Sequence, residues 1–144
     1  MLLRGVIVAM VLLLAGCGRQ ADDQRPIAGS WFAEIEVVGP HGHGGFAIVS
    51  LVPDTGTRAN VTLTGGSAGG DHPWHVHQER CDSDGPIVGD ASEYPRLTPD
   101  EAGNASATIL LDPRLDPEGT YHVDIHQSVD DDTVVGCGDL ISNR

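Results

Sequence analysis

Seven histidines carry most of the chemistry open to this chain, and they are grouped: His41 and His43; His72, His75 and His77; His122 and His126. The sharpest element is His75-Val76-His77. Residues two apart on a strand point to the same face, so both imidazoles project together. Such a pair suits a copper, zinc, nickel or iron ion. A further ligand is expected from Tyr121-His122-Val123-Asp124-Ile125-His126, where alternation puts His122, Asp124 and His126 on one face. At ~3.3 Å per residue His122 and His126 stand about 13 Å apart, so one ion takes one of them. Spacing does not choose which. His41-Gly42-His43-Gly44-Gly45 reads either as a flexible hairpin loop with two exposed imidazoles or as a loose second metal site.

These side chains need strands to hold them, and the sequence supplies strands. The 144 residues allow one domain, and 40% hydrophobic with 20% charged residues is a globular composition. Nineteen Gly and nine Pro with six aromatics imply many turns around an aliphatic core. Trp31 to Val38 partly alternates apolar with polar. Phe46 to Val52 is a second apolar run, closed by the turn-like Pro53-Asp54-Thr55-Gly56. Asn60 to Thr64 alternates cleanly, Trp74 to His77 is a short fourth strand, and Ala105 to Leu111, Thr120 to His126 and Val134 to Ile141 supply the rest. No stretch keeps a helical period. Short strands between Gly, Pro and Asp turns predict an all-β domain, a β-sandwich or closed Greek-key barrel. The stretch from Cys81 to Gly103 is too long for a bland connection and is expected to carry a functional or disulfide-tied loop.

The first 28 residues read as an address and a tether. Arg4 precedes the apolar run Val6 to Leu14, too short to span a bilayer and suited to a signal peptide over residues 1–16. The run ends in Leu14-Ala15-Gly16-Cys17, which resembles the bacterial lipobox, with Cys17 the lipidated first residue of the mature chain. Residues 17–28 then form a polar tether, and residues 29–144 the β domain. This places the domain in a bacterial cell envelope, facing the periplasm or exterior, touching the membrane through its anchor alone. Eight Arg, no Lys and 21 acidic residues give a net charge of −13, which excludes a nucleic-acid partner, since phosphate binding needs a basic surface.

Three segments in order resemble the copper/zinc superoxide dismutases. His72-Pro73-Trp74-His75-Val76-His77 is similar to that family's His-Gly-Phe-His-Val-His stretch. Tyr121 to His126 is similar to its late strand ending in a copper-ligand histidine, and Val134 to Ile141 to its last strand around Cys-Gly. The resemblance runs from about Ile35 to Ile141. It implies the Greek-key sandwich of the family, copper held by His75, His77 and His126, a framework role for His72, and a disulfide between Cys81 and Cys137. An oxidising compartment agrees with that disulfide; the rival reading makes Cys81 a thiolate ligand. The zinc site has no counterpart, because Cys81 to Tyr121 contains no histidine, and Val134 stands where the family has an arginine that attracts superoxide. A zinc-less, copper-only relative is implied, acting on superoxide at a low rate or exchanging copper with a donor. A non-catalytic copper-buffering protein and a three-histidine zinc site are the alternatives.

Overall fold

The computed structural model describes residues 29–143. The leader over 1–16, the acceptor Cys17 and the tether over 17–28 lie outside the described residues. Seven strands follow in chain order: β1 (Ser30–Val37), β2 (Gly44–Val52), β3 (Gly56–Thr64), β4 (Trp74–Gln78), β5 (Ala105–Leu111), β6 (Tyr121–His126) and β7 (Val134–Ser142). All pair antiparallel in one curled sheet of order β4-β6-β7-β1-β2-β3-β5. Among the described residues the one helical turn is a 3-10 turn at Ala91–Glu93.

Alternation builds the core. Trp31, Ala33 and Ile35 of β1 face inward, as do Ala47, Val49 and Leu51 of β2 and Ala59, Val61 and Leu63 of β3. Curling the sheet brings these against Trp74 and Val76 of β4, Val123 and Ile125 of β6 and Leu111 of β5. Burying each such aliphatic side chain contributes roughly 1.5–3 kcal/mol.

Strand pairing does not close the barrel. The outer edge of β4 is instead met by the long loop: Leu97 exchanges backbone hydrogen bonds with His72, Val88 donates to the Val76 carbonyl and Gln78 to that of Pro86. The loop is thus a packed wall. Tyr94 stacks edge-on against Trp74 and donates its hydroxyl to the Val88 carbonyl at 2.7 Å, and burial pushes its pKa up to about 12. Cys81 in this loop is joined to Cys137 of β7 by a disulfide with Cα atoms 6.0 Å apart. A thiolate role for Cys81 is therefore excluded.

Candidate metal centre

β4 and β6 lie side by side with His77 opposite His122 and His75 opposite Asp124. One residue on, the β6–β7 ladder shifts register between Ile125 and His126, and the His126 amide donates to the Pro73 carbonyl. His75, His77, Asp124 and His126 thereby converge, each with one ligand-type atom within 4.8 Å of all the others. Nε2 of His77 and Nε2 of His126 lie 3.2 and 3.3 Å from Asp124 Oδ2, and Nδ1 of His75 lies 3.8 Å from Oδ1. The three imidazoles are 14–15% exposed and the carboxylate 6%. Metal access is thus partial, and the carboxylate sits deepest.

Backbone carbonyls set the imidazole tautomers. His77 Nδ1 donates to Gly85 at 2.7 Å and His126 Nδ1 to Asp132 at 2.7 Å. A carbonyl can only accept, so both rings carry Nδ1–H and aim the Nε2 lone pair inward. This outer hydrogen bond is the arrangement that orients metal-ligating histidines. Gly85 is required for it: a Cβ there would fall 1.8 Å from the Gln78 carbonyl oxygen.

His75 Nδ1 lies in hydrogen-bond contact with His126 Nε2 at 3.2 Å, but the His77 Nε2 lone pair facing the carboxylate is repelled unless something positive lies between them. His77 Nε2 and Asp124 Oδ1 are both buried with no aligned hydrogen-bond partner, although His77 Nε2 is only 3.2 Å from the other carboxylate oxygen. Two agents can resolve this, protons or a cation. Left to protons, the hydrogen-bonding carboxylate of Asp124 raises the pKa of His126 against the opposing effect of burial. Burial lowers that of His77, but Asp124 and the Gly85 carbonyl outweigh it and the pKa rises. His75 goes the other way: burial takes it down to about 4, with Asp124 offsetting only part. Burial likewise disfavours the Asp124 carboxylate, yet His126 and His77 hold it well below the usual carboxylate range. The donor set, three nitrogens and one oxygen, fits a first-row transition metal.

The structure therefore gathers His75, His77 and His126 and adds Asp124, which alternation had put on the right face without assigning it a role. His122 stays outside the group. Its ring lies flat on His77, centroids 4.9 Å apart and planes 12° off, and its Nδ1 donates to the Glu79 carbonyl at 3.0 Å. His72 is 3% exposed and donates Nδ1–H to the His126 carbonyl at 3.1 Å, bracing the backbone of a ligand-type residue. The expectation of two exposed imidazoles at 41 and 43 needs correction. His41 is exposed, but His43 is 7% exposed, because its amide pairs with the Val135 carbonyl and its Nδ1 with that of Gly65.

A cleft of about 480 Å³ leads to the group, with Asp84, Asp132, Val134 and the disulfide among its walls and, among the described residues, no Arg lining it. Arg80, beside Cys81, is engaged by Asp139 at 2.9 Å. The chain matches no protein-family model and no curated protein.

Proposed function

We propose that this is an exported copper-binding domain of the superoxide-dismutase-like Greek-key type, lipid-anchored through Cys17, in which His75, His77, Asp124 and His126 hold one copper ion. The observation that carries the reading is the convergence of four donor atoms within 4.8 Å, two of them on rings pre-set by carbonyls. The route of the chain supports the Greek-key reading: β4 crosses to the far edge, β5 returns beside β3, and β6 fills the place between β4 and β7. Copper is favoured over zinc at imidazole sites by the Irving–Williams order.

Bound copper supplies one-electron chemistry, oxidising one superoxide to dioxygen and reducing a second, with two protons, to hydrogen peroxide. The chain's own residues serve holding better than turnover. Asp124 supplies a fourth donor, Asp84 and Asp132 draw cations toward the cleft, and Val134 offers an incoming anion nothing. His122 is the imidazole outside the donor group that lines the cleft, so the two protons would come from it or from water. Metal analysis of purified mature domain offered copper and zinc together, followed by pulse radiolysis of the copper-loaded form, tests the reading. One copper at the His75–His77–Asp124–His126 group and a superoxide rate well below diffusion control are expected. Failure to hold copper, or a near-diffusion-limited rate indifferent to salt, would overturn it. Asp124 favours one second reading, since nitrogen plus carboxylate oxygen is also a zinc ligand set; zinc retained at this group in that competition would select it.

A further inference from the structure

On the other side of the His72–His126 hydrogen bond a second pair of imidazoles meets. His43, immediately before β2, donates Nδ1–H to the Gly65 carbonyl at 3.1 Å. His72 donates Nδ1–H to the His126 carbonyl at 3.1 Å. Both tautomers are thus fixed, and each Nε2 carries a free lone pair. The rings are 4.6 Å apart at 73°. No proton is available between them, so they cannot bond to one another. His72 is 3% exposed, and its Nε2 is buried with no hydrogen-bond partner among the described residues.

The backbone of Gly70 passes close to that lone pair. A Cβ on Gly70 would lie 2.6 Å from His72 Nε2, so glycine keeps a side chain from pressing on it. Beyond it an open cleft of about 480 Å³ is shared by His41, His43, Gly70, His72 and Gln127. The alternative is that the two rings are edge-to-face packing, worth about 1 kcal/mol, with a water on the lone pair. Geometry allows more. Two imidazoles bound to one ion at ~2.0–2.1 Å have centroids about 4.5–5.2 Å apart at angles of ~90–110°, and above 6 Å if the ion is linear. The observed 4.6 Å fits the first case.

We propose that His43 and His72, with the exposed His41 swinging in from the rim, form a second site for a first-row transition-metal ion, zinc or divalent copper, separate from the His75–His77–Asp124–His126 group. The side chains of His43 and His72 are not donors of the first site, which touches this one only through the His126 backbone carbonyl that fixes the His72 tautomer. The second site does not depend on what the first site holds.

The test uses the full mature domain and a His77→Ala/His126→Ala form in which the first group is disabled. Each is titrated with zinc and with copper(II), read by bound-metal stoichiometry and by the ring-nitrogen resonances of the histidines. Wild type should bind two ions, and the disabled form one, with zinc shifting Nε2 of His43 and His72. Adding Gly70→Ala, which removes no donor, or His43→Gln, which can still donate to the Gly65 carbonyl, should weaken that remaining ion at least 100-fold. A disabled form that binds nothing, or whose His43 and His72 resonances ignore metal, overturns this proposal and leaves the first site standing. One ion that survives in the disabled form as the sole ion of the wild type overturns the first reading instead. Should either added substitution unfold the domain, the resonance shifts in the disabled form decide alone.

Discussion

The two imidazole groups stand back to back across the hydrogen bond from His72 to the His126 carbonyl, and one side chain separates their behaviour. Among His75, His77 and His126 a carboxylate is buried; beside His43 and His72 none is. Asp71, the acidic residue at the second cleft, is about half exposed and engaged by Arg96 at 2.8 Å. Asp124 accordingly raises His77 and His126, whereas burial, followed by the neighbouring His72, lowers His43. A divalent ion in the first group is half neutralised, but in the second its full charge stays uncompensated. The first should bind more tightly, because burying unpaired charge is costly.

Removing a donor is the strongest way to break this contrast. His126→Ala should weaken copper at the first group by on the order of 100-fold or more, while His122→Ala leaves it in place, both read by competition with a chelator of known affinity. Loss on His122→Ala with retention on His126→Ala would move the site along β6. Asp124→Asn keeps the shape and removes the charge. It should cost about 10–100-fold in copper affinity and bring the two groups closer together in strength.

Cutting the disulfide acts on one side only. Cys81→Ser should destabilise the metal-free domain by about 4 kcal/mol on the chain-entropy estimate, measured by urea unfolding. It also loosens the loop whose Gly85 carbonyl orients His77, so the first group should lose affinity while His43 and His72 keep their resonances.

Acid sharpens the contrast next. Raised pKa values mean that His77 and His126 hold protons to higher pH than an ordinary histidine, and copper must displace them. Apparent affinity should therefore fall as pH drops through and below neutrality. In the metal-free protein those same two rings contribute stability fully present below about 6.5 and lost as pH rises through their folded values. His75, brought down to about 4, has the opposite sign: from about 6.5 downward the unfolded chain takes up a proton that the folded chain refuses. Histidine resonances followed from pH 8 to 4 should show His75 neutral at pH 5 while His77 and His126 are charged. Simultaneous titration of all three would remove the role given to Asp124.

The smallest effect is expected at the mouth. Val134→Arg adds a cation beside two acidic walls, and should raise superoxide turnover severalfold at low ionic strength and less at physiological salt, where the Debye length is ~8 Å. A rate unchanged at both salts would show that approach of the anion is not limiting.

Alternation, with one continuous apolar run at Phe46 to Val52, located the seven described strands with ends shifted by at most a few residues, because one face of most strands is buried and the other wet. Asn60 to Thr64 is the inner end of a strand that begins at Gly56; its first half was hidden by Thr57, a buried polar residue whose hydroxyl accepts from the Leu115 amide at 3.0 Å. The His75–His77 pair was legible for the same period-two reason. Asp124 was visible on the right face, but nothing in a single strand says that a carboxylate there is 6% exposed and faces three imidazoles.

His43 was the site residue least readable in advance. Its glycine-rich neighbours suggest a loose loop, and only the carbonyls of Gly65 and Val135, 22 and 92 residues further on, hold it inside. By itself the sequence determined the element type, the alternation that aims side chains, and which residues carry ligand chemistry, since these depend on neighbours one to four positions apart. Tertiary structure alone decided that His122 stacks on His77 outside the donor group, that the Asp132 carbonyl holds the His126 ring against Asp124, and that His43 meets His72. Each of these is set by which strand lies beside which, and by one residue of register, quantities fixed through the packing of the whole curled sheet.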